Sequence, residues 1–473
     1  MLFLIILLVS FLVRISRFDF PASYTFAWGD GTRDFLVASH ILKYHELPLN
    51  GPYNLLYDVG VHNSPIYFYL ISLPLALVNN ILTLSLVNIF IQLGVIILIY
   101  LIAKLKLNYT AAIAAVLLFS FNPEVIKQAD FVWQPYLMLP LALLALYLKL
   151  KGRHLLGLAI LCLASLIHSS AYPWVPLFFF LPKNNARYYI YGAGLILVFL
   201  LLNGFAGLHL NLPIQPNFPT DYFSNFNANV VELLKAFYLN NILAIFLAAG
   251  FLVTLKKSQD KRLLVFLFLL FIFPIILASS FNKIRLHYLI LSMPVLPILA
   301  AKTTEIFKGA MKWIIVIALL IVFSGGFQYF KEAKLPLENQ KGINNLTLQV
   351  VGELSKIKQS GGFSDFDFFQ VVSFTRVDPN TDKIIPYPVL DSFLLVGLEE
   401  KLNKKLASVS DKSPYNHIQI NKKNYLLVSC FKTTEDDPLC LNYFKTTVRD
   451  FNILKRVYNN QSISIYLAKH VQN

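Results

Sequence analysis

The chain has 473 residues, 56% of them hydrophobic and only 14% charged, with a formal net charge of +15 and a mean hydropathy of +0.59; a chain this long and this apolar is expected to be a polytopic membrane protein rather than a soluble enzyme. The positive balance does not point to nucleic acid, because no basic stripe alternates with exposed aromatics on a polar domain, and anionic lipid head groups are the fitting counter-charge. Three cysteines, Cys162 in an apolar segment and Cys430 and Cys440 near the C-terminus, exclude a disulfide-dense scaffold and lack zinc spacing, although Cys430 and Cys440 can pair if their domain faces an oxidising compartment.

A helix crosses the bilayer core with roughly 17 to 25 apolar residues, and windows of about that length recur up to residue 330. The first, about 1–17, lacks a basic n-region and a small-residue cleavage site, so it reads as an uncleaved span. Arg14 and Arg17 at its far end count against an outward exit. Further spans are expected at 82–103, 109–122, 131–148, 155–169, 171–182, 187–205, 236–255, 262–280, 286–301 and 312–330, about eleven in all with the first.

Lys and Arg fall unevenly between these spans. One alternating set of loops holds Lys104, Lys106, Lys149, Lys151, Arg153, Lys183, Arg187, Lys256, Lys257, Lys261, Arg262, Lys302, Lys308 and Lys312. The other holds Asp19, Asp30, Asp34, Glu46, Asp58, Glu124, Asp130, Asp221 and Glu232 with fewer basic residues. Positive residues are retained in the cytoplasm, so the first external loop, 18–63, and the long loop Gly207 to Asn229 are expected outside. Ser64 to Val78 would reach only roughly 22 Å as a helix against a core of about 30 Å. A crossing there would invert the charge bias of every later loop, so this stretch is expected to be a juxtamembrane or partly inserted helix.

After residue 330 polar residues return, and Gly361-Gly362, Asp378-Pro379 and Asp437-Pro438 punctuate the chain as turns. Residues 331–473 read as a soluble, extracytoplasmic α/β domain behind a membrane module of residues 1–330. Asp367 to Phe374, Tyr425 to Cys430 and Ile463 to Ala468 have strand character, and Asp391 to Ala407 has helical spacing with an acidic-to-basic gradient.

The first external loop carries Asp30, Arg33 and Asp34. A helix starting near Asp30 puts these three on one face, and Phe35 to Ala38 with Ile41 and Leu42 would give it an apolar face for the membrane interface. Asp30 is then either a catalytic carboxylate or only a helix cap, with Arg33 paired to Asp34 or to lipid phosphate. His62, just before Pro65 opens the next helix, suits a phosphate or a metal ion, or is a polar flank. Glu124 and Asp130 form an acidic turn at the mouth of a span and rank second as candidates. His168, at the junction of two short segments, either faces the same cavity or closes a helical turn. Lys283, Arg285, His287 and Tyr288 supply fixed donors for a phosphate on the side where Lys and Arg are scarce. No nucleotide-binding or hydrolase motif appears in its required context. The sequence assigns no cofactor and leaves a divalent metal ion open.

These residues resemble the GT-C glycosyltransferases, in particular the relatives of protein O-mannosyltransferases and lipid A aminoarabinose transferases. The resemblance rests on Asp30-Gly31-Thr32-Arg33, on the Pro-initiated Ser64-Pro65-Ile66-Tyr67-Phe68-Tyr69, on Asn122-Pro123, and on His287-Tyr288-Leu289 with Pro294 and Pro297. It covers roughly residues 1–330 and leaves the tail outside. It implies a GT-C-type membrane fold in the plasma membrane and transfer of a sugar from a polyprenyl-phosphate donor to an extracytoplasmic lipid, glycan or protein acceptor. Asp30 would be the catalytic base, and Arg33 would contact the lipid phosphate or the substrate. Asp34 stands where relatives have an aromatic or apolar residue, and helix spacing reads it as a second carboxylate of the catalytic pair that orients or salt-bridges. Gly31 stands where many relatives carry a second acid, and Asn63-Ser64 where the aminoarabinose branch has a basic residue. The competing readings are a transporter or flippase of a lipid-linked sugar, which needs charges midway along several spans, and a structural membrane subunit.

Overall fold

The computed structural model describes residues 1–16, 30–48, 51, 64–128, 132–180, 186–205, 222–236, 250–256, 261–279, 289–306, 309, 316–317, 349–360, 369–376, 384–386, 398, 407–408, 425–431, 442, 451–459 and 463–471. It divides into two compact units, one within Met1–Pro21 and Ile41–Lys334 and the other within Ala22–His40 and Leu335–Asn473. The first external loop of the sequence reading thus contributes residues to both.

In the first unit α1 (Leu2–Ile15) lies against α4 (Ile81–Lys106). Phe3 stacks on Tyr100 and Phe11 on Phe90, so the two helices run antiparallel. Arg14 is 1% exposed. Its guanidinium donates to the carbonyls of Ser10 at 3.1 Å and Ser120 at 3.2 Å. The cation therefore occupies the C-terminal ends of two helices, α1 and α5 (Tyr109–Ser120), where the helix dipole is negative.

Helix α4 starts where Asn80 Oδ1 accepts from the Leu82 N–H and ends with Lys104 and Lys106 in its last turn. Among the described residues it holds the one segment, Leu82–Lys106, long and apolar enough to cross a membrane by length and composition. Before it, α3 (Ile66–Leu75) has 10 residues. That is roughly 15 Å of helix, half of a bilayer core.

Helices α7 (Gln134–Leu150) and α8 (His154–Ile167) form an antiparallel hairpin closed by Gly152 at φ +80°. Close approach depends on Gly157, because a Cβ there would stand 2.8 Å from the Ala145 carbonyl oxygen. The expected span 171–182 is not a continuous helix: Ser169–Ala171 is a 3-10 turn and α9 (Trp174–Leu177) has only 4 residues. Pro173 and Pro176 account for this, since proline removes a backbone donor and crowds the preceding turn. The segment nevertheless travels the length of the hairpin. His168 caps α8 at one end, the Trp174 indole donates to Leu270 O, and the Phe178 carbonyl accepts from Lys149 in the last turn of α7. The chain therefore reaches α10 (Ala186–Phe205) at the end where α8 began.

The loop expected at Gly207 to Asn229 also differs. Helix α11 (Tyr222–Ala236) takes its last residues and buries Asn229, Leu233 and Ala236. Asn229 donates to Ser279 Oγ at the end of α12 (Lys261–Ser279). Helix α13 (Ser292–Thr303) is buried along nearly its whole length, and its far end is held by the Lys302–Glu305 pair. The ends of these helices gather at one end of the unit through polar side chains. Asn88 donates to Gln128 O, Gln128 to Met293 Sδ, the Tyr67 hydroxyl to Val132 O, and Asn122 to Ala236 O.

The second unit contains a sheet of order β2-β1-β4-β6-β5, with β3 also pairing β1. The strands are β1 (Phe369–Arg376), β2 (Ile384–Pro386), β3 (Ala407–Ser408), β4 (Tyr425–Phe431), β5 (Phe451–Asn459) and β6 (Ile463–His470). β1 and β4 are parallel, while β4–β6 and β6–β5 are antiparallel. A helix over 349–359, α14, covers the sheet. Val350 and Leu354 pack with Leu398, Tyr425, Leu427, Val457, Ile465 and Leu467. Of the stretch Asp391 to Ala407, Leu398 is helical and Ala407 opens β3; the rest lies outside the described residues. Cys430 is disulfide-bonded and Cys162 is free.

Candidate active site

Helix α2 is described from Asp30 to Tyr44, so Asp30, Arg33 and Asp34 belong to one helix. His45 at φ 55° ends it in the left-handed region. The apolar face has a different partner from the expected membrane interface. Leu36 packs against the core of the second unit, beside Val350 and Leu354, and Ala38 is fully buried. An apolar stripe reads the same whether it covers lipid or protein, and here Leu36 is covered by protein.

Asp30 is the first described residue of this helix. Asp34 lies one turn further on and is 1% exposed. Arg33 donates to Asp34 Oδ1 from Nε at 2.9 Å and from Nη2 at 2.6 Å. Neighbours at i and i+1 do not ordinarily face each other on a helix. The flexible arginine stem folds back to make the contact, and Arg33 remains one quarter exposed. Two of the five guanidinium N–H groups are thereby committed to a buried carboxylate, which fixes the fork in orientation.

The other described candidates belong to the first unit. Glu124 sits in the first turn of α6 (Pro123–Lys127), behind the Asn122 side chain that accepts from the Val125 N–H. His168 is 5% exposed, and its Nδ1 accepts from the Ser170 N–H at 3.2 Å. The histidine thus closes the turn that leads into the broken segment after α8. Among the described residues no group of three His, Cys, Asp or Glu side chains gathers as a metal site. His62, Asp130, Lys283, Arg285, His287 and Tyr288 lie outside the described residues.

Sequence reasoning passed over the buried amides of the first unit. Asn88 and Gln92 are fully buried on α4. Gln92 makes no side-chain hydrogen bond among the described residues. Their signal was available, since polar side chains spaced i, i+4 inside an apolar helix share a face and seldom stand there without a partner or a task.

No protein-family profile matches the chain, and no curated protein sequence matches it. Solved structures do. ArnT from Cupriavidus metallidurans bound to undecaprenyl phosphate is 10% identical, with a TM-score of 0.57 over 98% of this chain and 97% of that one. The apo state of the same ArnT gives a TM-score of 0.54 at 10% identity over 92% of each chain. The likeness takes in the C-terminal residues, which the sequence reading had left outside the resemblance. In fold, from end to end, the chain is similar to ArnT, a lipid A aminoarabinose transferase of the GT-C type.

Proposed function

We propose that the protein is an integral membrane glycosyltransferase that moves a sugar from a polyprenyl-phosphate donor to an extracytoplasmic acceptor, with Asp30 as the catalytic base. The observation that carries this reading is the end-to-end likeness to an ArnT that holds undecaprenyl phosphate, together with a helix that carries an acid at the position the GT-C resemblance singles out. In the proposed reaction the acceptor oxygen bonds to the anomeric carbon and its proton passes to the Asp30 carboxylate. The bond from that carbon to the phosphate oxygen breaks, and its electron pair departs with the polyprenyl phosphate. Arg33, oriented by Asp34, would stabilise the departing phosphate with Lys283 and Arg285. His62, His168, His287 and Tyr288 would line the donor and acceptor path, with Glu124 and Asp130 as secondary acids. The lipid tail of the donor would lie in the bilayer beside the helices.

The test is transfer from labelled polyprenyl-phosphate sugars by the chain reconstituted in membranes. Asp30→Asn is nearly isosteric but removes the base, so transfer falls about 100-fold or more while the protein folds normally. Undiminished transfer in Asp30→Asn would refute Asp30 as base, and no transfer by the wild type from any polyprenyl-phosphate sugar would refute the reaction class.

A further inference from the structure

The second unit contains a cleft of about 440 Å³ between α14 and the edge strand β5. Its polar lining consists of Gln349, Glu353 and Lys356 from the helix and Arg456, Tyr458 and Asn459 from the strand. The volume lies within the range of small-ligand sites. A regular strand turns alternate side chains to opposite faces, so successive residues should not line one cleft. Here the register of β5 against β6 shifts between Ile453 and Lys455 and again between Arg456 and Tyr458. Bulges of this kind re-aim side chains and recur beside binding sites.

The charges in and around the cleft are unbalanced. Glu353 holds Lys356 through one carboxylate oxygen at 2.8 Å and Lys455 through the other at 2.8 Å. Arg456 is exposed and makes no ion pair among the described residues. Two lysines thus share one carboxylate, and the exposed Arg456 that lines the same cleft adds a guanidinium suited to a planar, bidentate anion. Beside it stand two side-chain amides and a tyrosine ring. Asn459 is fixed by accepting from Ser464 Oγ at 2.6 Å, and Tyr458 is braced against the core cluster. Amides pair with vicinal hydroxyls, and an aromatic ring supports the apolar face of a sugar.

From this arrangement we infer that the cleft between α14 and β5 is a binding subsite for an anionic saccharide, a sugar ring carrying a carboxylate or phosphate that Arg456 receives while Gln349, Asn459 and Tyr458 hold the ring. The inference goes beyond the transferase reading, because the site needs neither Asp30 nor a lipid-linked donor. If both hold, the cleft selects acidic glycan acceptors or products.

The experiment is saturation-transfer NMR on the full chain in nanodiscs with glucuronate, glucose 6-phosphate and glucose as observed probes, and with inorganic phosphate, which has no carbon-bound proton, read by its competition with glucose 6-phosphate. The two acidic sugars bind at least about tenfold more tightly than glucose or phosphate alone, and Arg456→Gln, an exposed and fold-neutral change, removes that preference. The same binding persists in the Asp30→Asn chain, which separates failure of the subsite from failure of the transferase reading. Equal binding of glucose and the acidic sugars, phosphate matching glucose 6-phosphate, no binding by any probe, or an unaffected Arg456→Gln chain would each overturn it.

Discussion

Arg33 and Asp34, adjacent in sequence, form a two-pronged ion pair in which Nε and Nη2 converge on a single buried carboxylate oxygen. Removing one partner withdraws two charge-assisted hydrogen bonds from the other. Asp34→Asn is therefore expected to lower stability by about 1.5–3 kcal/mol, the range for hydrogen bonds to charged groups, and to lower transfer by loosening the Arg33 fork. Because the pair acts as one, an Arg33→Gln, Asp34→Asn double variant is no less stable than the worse single variant. A double-mutant cycle on thermal unfolding reads this coupling, and strictly additive losses would show that the pair is not coupled.

Gly157 is the tightest point of the α7–α8 hairpin. A methyl group placed there meets the Ala145 carbonyl oxygen at 2.8 Å and the Lys149 nitrogen at 3.2 Å, both backbone atoms that cannot turn aside. The helices must separate, so Gly157→Ala lowers the unfolding temperature even though alanine is the better helix former. The destabilisation is about 1–3 kcal/mol, as for overpacking elsewhere. Gly94, whose added Cβ meets nothing within 4 Å, is the control: Gly94→Ala is neutral or stabilising.

Much of this architecture is legible in the chain. The windows 82–103, 109–122, 131–148 and 155–169 lie within a few residues of Ile81–Lys106, Tyr109–Ser120, Gln134–Leu150 and His154–Ile167, because a long apolar run has few alternatives to a helix. Strands β1, β4 and β6 were visible through their β-branched and aromatic residues. Strand β5 was not, since its two register shifts break the alternation that marks a strand. Residues 171–182 misled for the opposite reason: composition registers apolarity but not that Pro173 and Pro176 break the helix. Of the site, the helix that carries Asp30, Arg33 and Asp34 was readable, whereas the Arg33–Asp34 pairing stood beside lipid phosphate as an alternative and is decided by the folded-back arginine stem. The packing of Leu36 on a core assembled from residues 350 to 467 was not, because nothing local encodes a partner three hundred residues away.

The broken segment after α8 fixes a topology test. His168 and Phe178 lie at opposite ends of the α7–α8 hairpin, so the chain changes ends between them despite having no continuous helix there. Reporters fused after Asn80 and after Ser170 are expected on one side of the membrane, and reporters after Gly152 and at Arg187 on the other. A reporter at Arg187 on the same side as Ser170 would show that the segment does not cross.

Glu353 gives a pH signature. The side-chain hydrogen bond from Lys356, followed by that from Lys455, holds its carboxyl down from an ordinary 4.5 to about 2. A depressed folded value stabilises the fold above the unfolded value and is lost as pH falls through the folded one. The stability that these pairs confer is thus full above about pH 4.5 and gone near pH 2. The pairs are partly solvated, so the effect is small. Glu353→Gln loses less stability than the wild type on acidification across that window, measured by thermal unfolding. Identical acid profiles would show that the pairs do not persist in solution.

The disulfide at Cys430 makes a prediction about compartment as well as stability. Cys430 lies in the central strand β4, opposite Ser464 of β6 and Phe374 of β1, and is 2% exposed. The sequence holds one other cysteine besides the free Cys162, namely Cys440. A native disulfide typically contributes about 2–5 kcal/mol, largely by restricting the unfolded chain, and it persists only in an oxidising environment. Cys430→Ser is therefore expected to expose the C-terminal unit to limited proteolysis while leaving the helical unit resistant, and a reductant applied to the wild type reproduces the effect. Cys162→Ser, in the buried helix α8, changes neither outcome. If the protein isolated from its native membrane under thiol-blocking conditions carries free thiols at Cys430 and Cys440, the C-terminal unit faces a reducing compartment and the expected outward orientation is wrong.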